Sequence, residues 1–210
     1  MCPEPTIFVV DDDALARQSV CALAESMGVR AEAFASAEEF LNQYVEGREG
    51  CLVTDFRMPG MSGVELQEVL LQRRIFLPTI VLTAYARTPV TVRAVKAGAV
   101  AVLDKPCPDN DLWDAIRLAL AKDAAERAKH AHRQAIVARL DQLNPVERLV
   151  LNMIVAGATN KAIAAELDVS VRTIENRRKD LFAKMQAESV AHLIRLVIES
   201  SADENHAANG

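Results

Sequence analysis

No stretch of about 18 consecutive apolar residues occurs in the 210-residue chain, so the sequence offers no helix able to cross a bilayer. The N-terminus lacks the basic leader and hydrophobic core of an export signal. It carries an acidic Glu4 and a strand-like run instead, and the expectation is a cytoplasmic protein without a membrane partner. The four cysteines, Cys2, Cys21, Cys51 and Cys107, include no CxxC pair, and the histidines at 130, 132, 192 and 206 form no cluster. Neither a zinc site nor a disulfide framework is suggested, which fits a reducing compartment.

Half of the residues are apolar, enough for a sizeable core in one large or two ordinary domains. The net charge of −5 is unevenly spread. Residues 1–122 hold 17 acidic and 12 basic side chains, whereas Arg172–Lys184 holds five basic and two acidic ones. A local basic element in an acidic chain points to a local site for a polyanion.

Strand-like runs stand at residues 6–10, 30–34, 51–54, 79–83 and 99–103, with helical patterns near 14–27, 36–46, 63–73, 90–97 and after Pro108. Five alternations of strand and helix predict an α/β doubly wound parallel sheet of five strands. Ligands of such sheets sit at the carboxyl ends of the strands. Asp11 and Asp12 follow the first strand there, Asp55 ends the third, Thr83 ends the fourth, and Lys105 follows the fifth. Three carboxylates with no His or Cys nearby are hard oxygen ligands suited to Mg²⁺. Asp13 reads as a helix cap.

In this order and spacing, Asp11-Asp12, Asp55, Thr83 and Lys105-Pro106 resemble the receiver domain of two-component response regulators over residues 1–122. The resemblance implies a CheY/flavodoxin-like fold in which Asp55 accepts a phosphoryl group from a sensor histidine kinase. It also implies Mg²⁺ held by Asp12, Asp55 and the backbone carbonyl of Arg57, with Asp11 acting mainly through water, and phosphate sensing by Thr83 and Lys105. Two departures stand out. The fifth strand has Val102 where such domains often carry a moving aromatic, and the segment after Thr83 reads AYARTP, leaving open whether Tyr85 moves in its stead.

From Asn110 to Leu140 there is no Gly or Pro, which predicts one long helix, capped by Asp109, closing the first domain and continuing as a helical linker over 123–140. Its second half reads as a solvated spacer, with a dimer-forming coiled coil as the alternative. Asn144-Pro145 opens a helical domain over 141–200, with a helix ending at Gly157, one starting from an Asn160 cap, a tight turn at 168–170, and a third helix over 171–185. Two short helices joined by a three-residue turn make a helix-turn-helix. Residues 201–210 read as a mobile tail.

The stretches LNPVERLVL, AGATNKAIAAELDVSVRTIENRRKDLFAKM and AESVAHLIRL resemble the LuxR-type helix-turn-helix, and the whole chain resembles FixJ-type regulators of the FixJ/NarL class. Binding to double-stranded promoter DNA is the implied function. Helical geometry puts Val171, Ile174, Leu181, Phe182 and Met185 on a core face, with Arg172, Asn176, Lys179 and Ala183 opposite. Asn176 suits a base edge, Lys179 a base edge or a phosphate, and Thr173, Arg177 and Lys161 suit phosphates.

The expected function is that of a phosphorylation-gated transcription factor rather than an enzyme. In the resembling family phosphorylation makes a homodimer surface of the fourth helix and fifth strand, here with Val90, Arg93, Lys96 and Asp104, and RNA polymerase is a further candidate partner. The alternatives are a DNA-binding regulator independent of phosphorylation and a Mg²⁺-dependent phosphohydrolase. Neither the DxDxT-like nucleophile segment nor the substrate cap of the latter is present in full in TDFRMP.

Overall fold

The computed structural model describes residues 4–84 and 88–201. The chain divides into two compact units, Met1–Arg127 and Ala128–Gly210. The first contains β1 (Thr6–Val10), α1 (Ala14–Ser26), β2 (Arg30–Phe34), α2 (Ala37–Gln43), β3 (Gly50–Asp55), α3 (Gly63–Gln72), β4 (Thr79–Thr83), α4 (Thr88–Lys96), β5 (Ala101–Asp104) and the start of α5 (Asp109–Asp141). All strand pairs are parallel, in the order β2-β1-β3-β4-β5. The predicted sheet is therefore present, with strand limits within two residues of those expected.

The three central strands are buried throughout, which is why they read as unbroken apolar runs rather than alternating ones. Their side chains still alternate between faces. Ile7, Val9, Cys51, Val53, Ile80 and Leu82 pack with Val20 and Ala24 of α1 and with Leu112, Ala115, Ile116 and Ala119 of α5. On the other face Phe8, Val10 and Leu52 meet Phe34, Phe40, Leu66 and Leu70. Each such large side chain contributes about 1.5–3 kcal/mol on burial. Asp13 caps α1 as predicted, accepting from Leu15 N at 2.8 Å.

Helix α5 is continuous, but it starts at Asp109, one residue early, so Asp109 belongs to its acidic first turn and is not the cap. Residues of the segment 123–140, expected as a helical linker with a solvated second half, pack in both units. Asp123 is 3% exposed, and its Oδ2 accepts from Gly50 N at 2.9 Å and from Arg127 Nε at 2.8 Å. Arg127 also donates to the carbonyls of Gly47 and Arg48. Burial, aided by the Asp123 charge, pushes the neighbouring Cys51 thiol up to about 12. Gly50 has φ 146°, and a Cβ there would lie 1.8 Å from the Thr6 carbonyl, so the start of β3 admits no side chain.

In the second unit, Ile136 of α5 is fully buried among residues of α6 (Pro145–Val155), α7 (Asn160–Glu166), α8 (Val171–Met185) and α9 (Val190–Ser201). His132 pairs with Glu199 at 3.2 Å, and Arg139 donates to the Met185 carbonyl. The Asn144–Glu147 capping box starts α6 beside Pro145. The cap of α7 is Thr159, accepting from Ala162 N, and not Asn160, which is the first helical residue. Among the described residues no helix is long and apolar enough to cross a membrane. The tail lies outside them from residue 202.

Replacing Asp123 by Ala leaves the buried Gly50 N–H unpaired, so Asp123→Ala should cost about 2 kcal/mol of first-unit stability in urea unfolding, and Asp123→Asn, which keeps an acceptor, distinctly less.

Candidate functional site

The strand register assembles the rim. Val10 stands opposite Thr54, so Asp11 leaves β1 at the level where Asp55 ends β3. Thr83 stands opposite Asp104, which delivers Lys105 to the same end, its backbone N–H donating to the Thr83 carbonyl at 2.7 Å. The Lys105 ammonium donates to Asp11 Oδ2 at 2.6 Å and to Asp55 Oδ1 at 2.5 Å. Asp11 and Asp55 are 4% and 8% exposed. Two neighbouring carboxylates repel, and the shared ammonium offsets that repulsion. Burial works to lower the pKa of Lys105, but the hydrogen bonds and charges of Asp11 and Asp55 outweigh it and hold the ammonium above its usual range.

The remaining carboxylate oxygens are also engaged. Asp55 Oδ2 accepts the Arg57 N–H at 2.6 Å, and Asp11 Oδ1 accepts the Asp13 N–H at 2.9 Å. Gly63 lets α3 approach this strand end, since a Cβ there would lie 2.2 Å from the Asp55 carbonyl. Thr83 is buried at the end of β4. Asp12 is exposed, and among the described residues no three side chains of His, Cys, Asp and Glu gather closely enough to share an ion. The structure thus joins Asp11, Asp55 and Lys105 but does not bring Asp12 into a three-carboxylate cluster. Lys105 offsets only one of the two buried negative charges, which leaves the rim attractive to a further cation. Mg²⁺ typically keeps several waters and needs only one or two carboxylates, so the donor set at this rim fits that ion without a cage.

Sequence reasoning missed three residues around the rim. Arg17 of α1 donates from Nη1 to the Asp11 backbone carbonyl. Phe56, next to Asp55, packs against Val64, Val81 and Ala94 of α4, the same buried cluster that Val102 of β5 covers. Glu68 of α3 takes the Arg93 guanidinium in a two-pronged pair at 3.2 and 3.1 Å. Of the other expected dimer-surface residues, Lys96 and Asp104 are exposed. Val92 and Val95, which were not singled out, are 45% and 58% exposed on α4. Tyr85 and the Val90 side chain lie outside what is described.

In the second unit Ser170 caps α8, accepting the Thr173 N–H at 3.1 Å, and holds the Thr173 hydroxyl at 2.8 Å. Arg172, Asn176, Lys179 and Ala183 are exposed, as the helical projection requires, and Lys161 is exposed on α7. Ile174, Leu181 and Met185 are buried and Phe182 partly so. Val171, the first residue of α8, is 37% exposed and does not join the core face. Arg177 is half-buried and, with Asp180, lines a groove beside Asn144 and Val146. Arg178 is partly buried and lies over the Phe182 ring, 5.7 Å from its centre, in a cation–π contact.

One ion pair fixes α8 to α6. Lys184 Nζ meets both oxygens of Glu147 at 2.6 and 2.8 Å, and with the Asn144 N–H this holds the Glu147 carboxyl below its usual range. A depressed carboxylate stabilises the fold above its unfolded pKa and loses that contribution as pH falls through the folded value. Unfolding followed from pH 7 to 3 should therefore show second-unit stability falling below about pH 4.3, with a shallower fall in Lys184→Met.

Comparison with known proteins gives concordant matches. The response regulator receiver domain matches residues 7–117, and the bacterial regulatory proteins of the luxR family match residues 141–197. The transcriptional regulatory protein FixJ of Rhizobium meliloti is 42% identical over 193 residues, 92% of this chain and 95% of that protein. FixJ of Bradyrhizobium diazoefficiens is 38% identical over 194 residues, 92% of this chain and 95% of that protein. Among solved structures, response regulator StyR superposes with a TM-score of 0.84 at 38% identity, covering 93% of this chain and 99% of that one. Full-length FixJ from B. japonicum gives 0.56 at 37% identity, with 94% and 98% covered.

Proposed function

Since this chain belongs to the FixJ-like response regulators, transcription factors that join a receiver domain to a LuxR-type DNA-binding domain, we propose that Asp55 is its phosphoacceptor and α8 its DNA-reading helix. The observation that carries the first assignment is the Lys105 ammonium held between Asp55 and Asp11 at the end of β3. An Asp55 carboxylate oxygen attacks phosphorus in line, a P–O bond forms, the P–N bond to the kinase histidine breaks, and the electron pair leaves with the imidazole. Lys105 neutralises charge on the transferred group, and the Thr83 hydroxyl donates to one of its oxygens. Small acyl phosphates would serve as donors through the same attack, and slow self-hydrolysis would reset the protein. Mg²⁺, bound by Asp55, Asp12 and the Arg57 carbonyl with Asp11 acting through water, would supply orientation and charge neutralisation.

In the second domain Asn176 and Lys179 would read base edges in the major groove, while Arg172, Thr173, Arg177 and Lys161 would contact phosphates. The exposure of Arg172, Asn176 and Lys179 along one side of α8, with Thr173 and Arg177 partly buried beside it and Lys161 exposed on α7, supports this division. The exposed valines on α4, beside Lys96 and near Asp104, support a homodimer through α4 and β5 once Asp55 carries phosphate. Val90 is the further apolar contact, and Arg93 would take part by exchanging Glu68 for a partner across the two-fold. Cytoplasmic residence follows from the need to meet both a kinase and promoter DNA, and RNA polymerase is the further contact expected of a DNA-bound regulator.

Two outcomes check these assignments. With Mg²⁺ and acetyl phosphate, intact mass should rise by one phosphoryl group on the wild type and not on Asp55→Asn, and labelling of that variant at the wild-type level would place the chemistry elsewhere. Asn176→Ala should weaken binding to the preferred DNA site by about 1–3 kcal/mol and to unrelated DNA much less. Equal losses on both DNAs would reassign Asn176 to the phosphate backbone.

A further inference from the structure

Three consecutive carboxylates, Asp11, Asp12 and Asp13, leave the end of β1, and Lys105 engages only the first of them among these three. A second cation reaches this turn from α1. Arg17 sits in the first turns of the helix, where side chains lean back toward the N-terminus, and its Nη1 donates to the backbone carbonyl of Asp11. The Asp11 N–H donates to the Phe34 carbonyl of β2 at 3.3 Å. The peptide groups on both sides of Asp11 are therefore tied, one to the sheet and one to a guanidinium. With its backbone fixed, Asp11 divides its carboxylate between the Asp13 N–H and Lys105, and Lys105 in turn reaches Asp55.

We propose that Arg17 is a positioning residue for phosphoryl transfer, acting through Asp11 to hold Lys105 on Asp55. The inference rests on Asp55 being the phosphoacceptor. Arg17 suits the task for two reasons. A charged donor makes a stronger hydrogen bond to a carbonyl than a neutral one. Its positive charge also lies beside the acidic turn, so it offsets the mutual repulsion of Asp11, Asp12 and Asp13 without occupying any carboxylate oxygen that Lys105 or a metal ion requires. Residues that orient the groups of a reactive site typically affect activity by 10–100-fold when removed, although they touch no substrate.

The test uses the full-length chain with Arg17→Met, which keeps the apolar stem and removes both donor and charge, and Arg17→Lys, which restores one donor and the charge. Asp55 phosphorylation is timed by intact mass with acetyl phosphate and Mg²⁺ both saturating, alongside thermal midpoints. The maximal rate should fall about 10-fold in Arg17→Met with little change in the acetyl phosphate half-saturation, and Arg17→Lys should lie closer to the wild type. A second measurement needs neither metal nor phosphodonor. Amide exchange at the Asp13 N–H, which reports where the Asp11 carboxylate stands, should quicken in Arg17→Met and return toward the wild-type rate in Arg17→Lys. Wild-type rates in Arg17→Met, equal slowness of the two variants, or unchanged Asp13 exchange would overturn the proposal while leaving Asp55 as phosphoacceptor. A wild type that takes no phosphoryl group on Asp55 would bring down both.

Discussion

Two buried carboxylates side by side repel each other unless a cation or a shared proton offsets their charge, and the first domain is arranged around the cation that does so. Lys105 follows β5 while its partners follow β1 and end β3, so the three meet only if these strands run parallel, in this order and with this register. A one-residue slip of β5 against β4 would move Lys105 along the rim and turn the side chains of β5 to the opposite face. The hydrophobic alternation on the two faces of the sheet thus guards an electrostatic arrangement in which it takes no direct part. The pair tolerates burial because the cost of desolvating the carboxylates is offset by hydrogen bonds from Lys105, Arg57 and Asp13.

Most of the fold was legible because each element carries its own signal. The central strands are apolar and short, Ser36, Ser62, Asn144 and Ser170 cap the helices that follow them, and α8 shows the exposed basic stripe that its periodicity implies. Asp11, Asp55 and Lys105 were legible for a related reason, since strand ends in a parallel sheet converge. What stayed hidden depended on side-chain reach. Arg17 and Glu68 look like ordinary surface charges on amphipathic helices, and only their three-dimensional neighbours, the Asp11 carbonyl and Arg93, give them a role. The misplaced cap at Asn160 arose because Thr159 and Asn160 are both good capping residues and are adjacent, leaving composition unable to choose. Val171 was assigned to the core by angle alone, yet a helix buries an angular position only where a neighbour covers it.

Helix α5 was the hardest segment to read, because alanine-rich sequence looks alike whether solvated or packed. Within the first domain it presents Leu112, Ala115, Ile116 and Ala119 at regular helical spacing to the sheet. Within the second it contributes Ile136 to the core that supports α8, and Arg139 holds the carbonyl that ends that helix. One continuous helix thus supplies core residues to the domain with the phosphoacceptor candidate and to the domain with the DNA-reading candidate.

The hold of Asp123 and Arg127 on the start of β3 bears on how the molecule can be dissected. The receiver match ends at residue 117 and the sequence pattern alone suggests a boundary at 122, so a fragment cut at either point discards the carboxylate that receives the Gly50 N–H and the guanidinium that fastens the preceding loop. Strand β3 would then be secured by a charged side chain only at the Asp55 end. A receiver fragment meant to report on the native site must run to Arg127 at least, where the contacts of the first domain close.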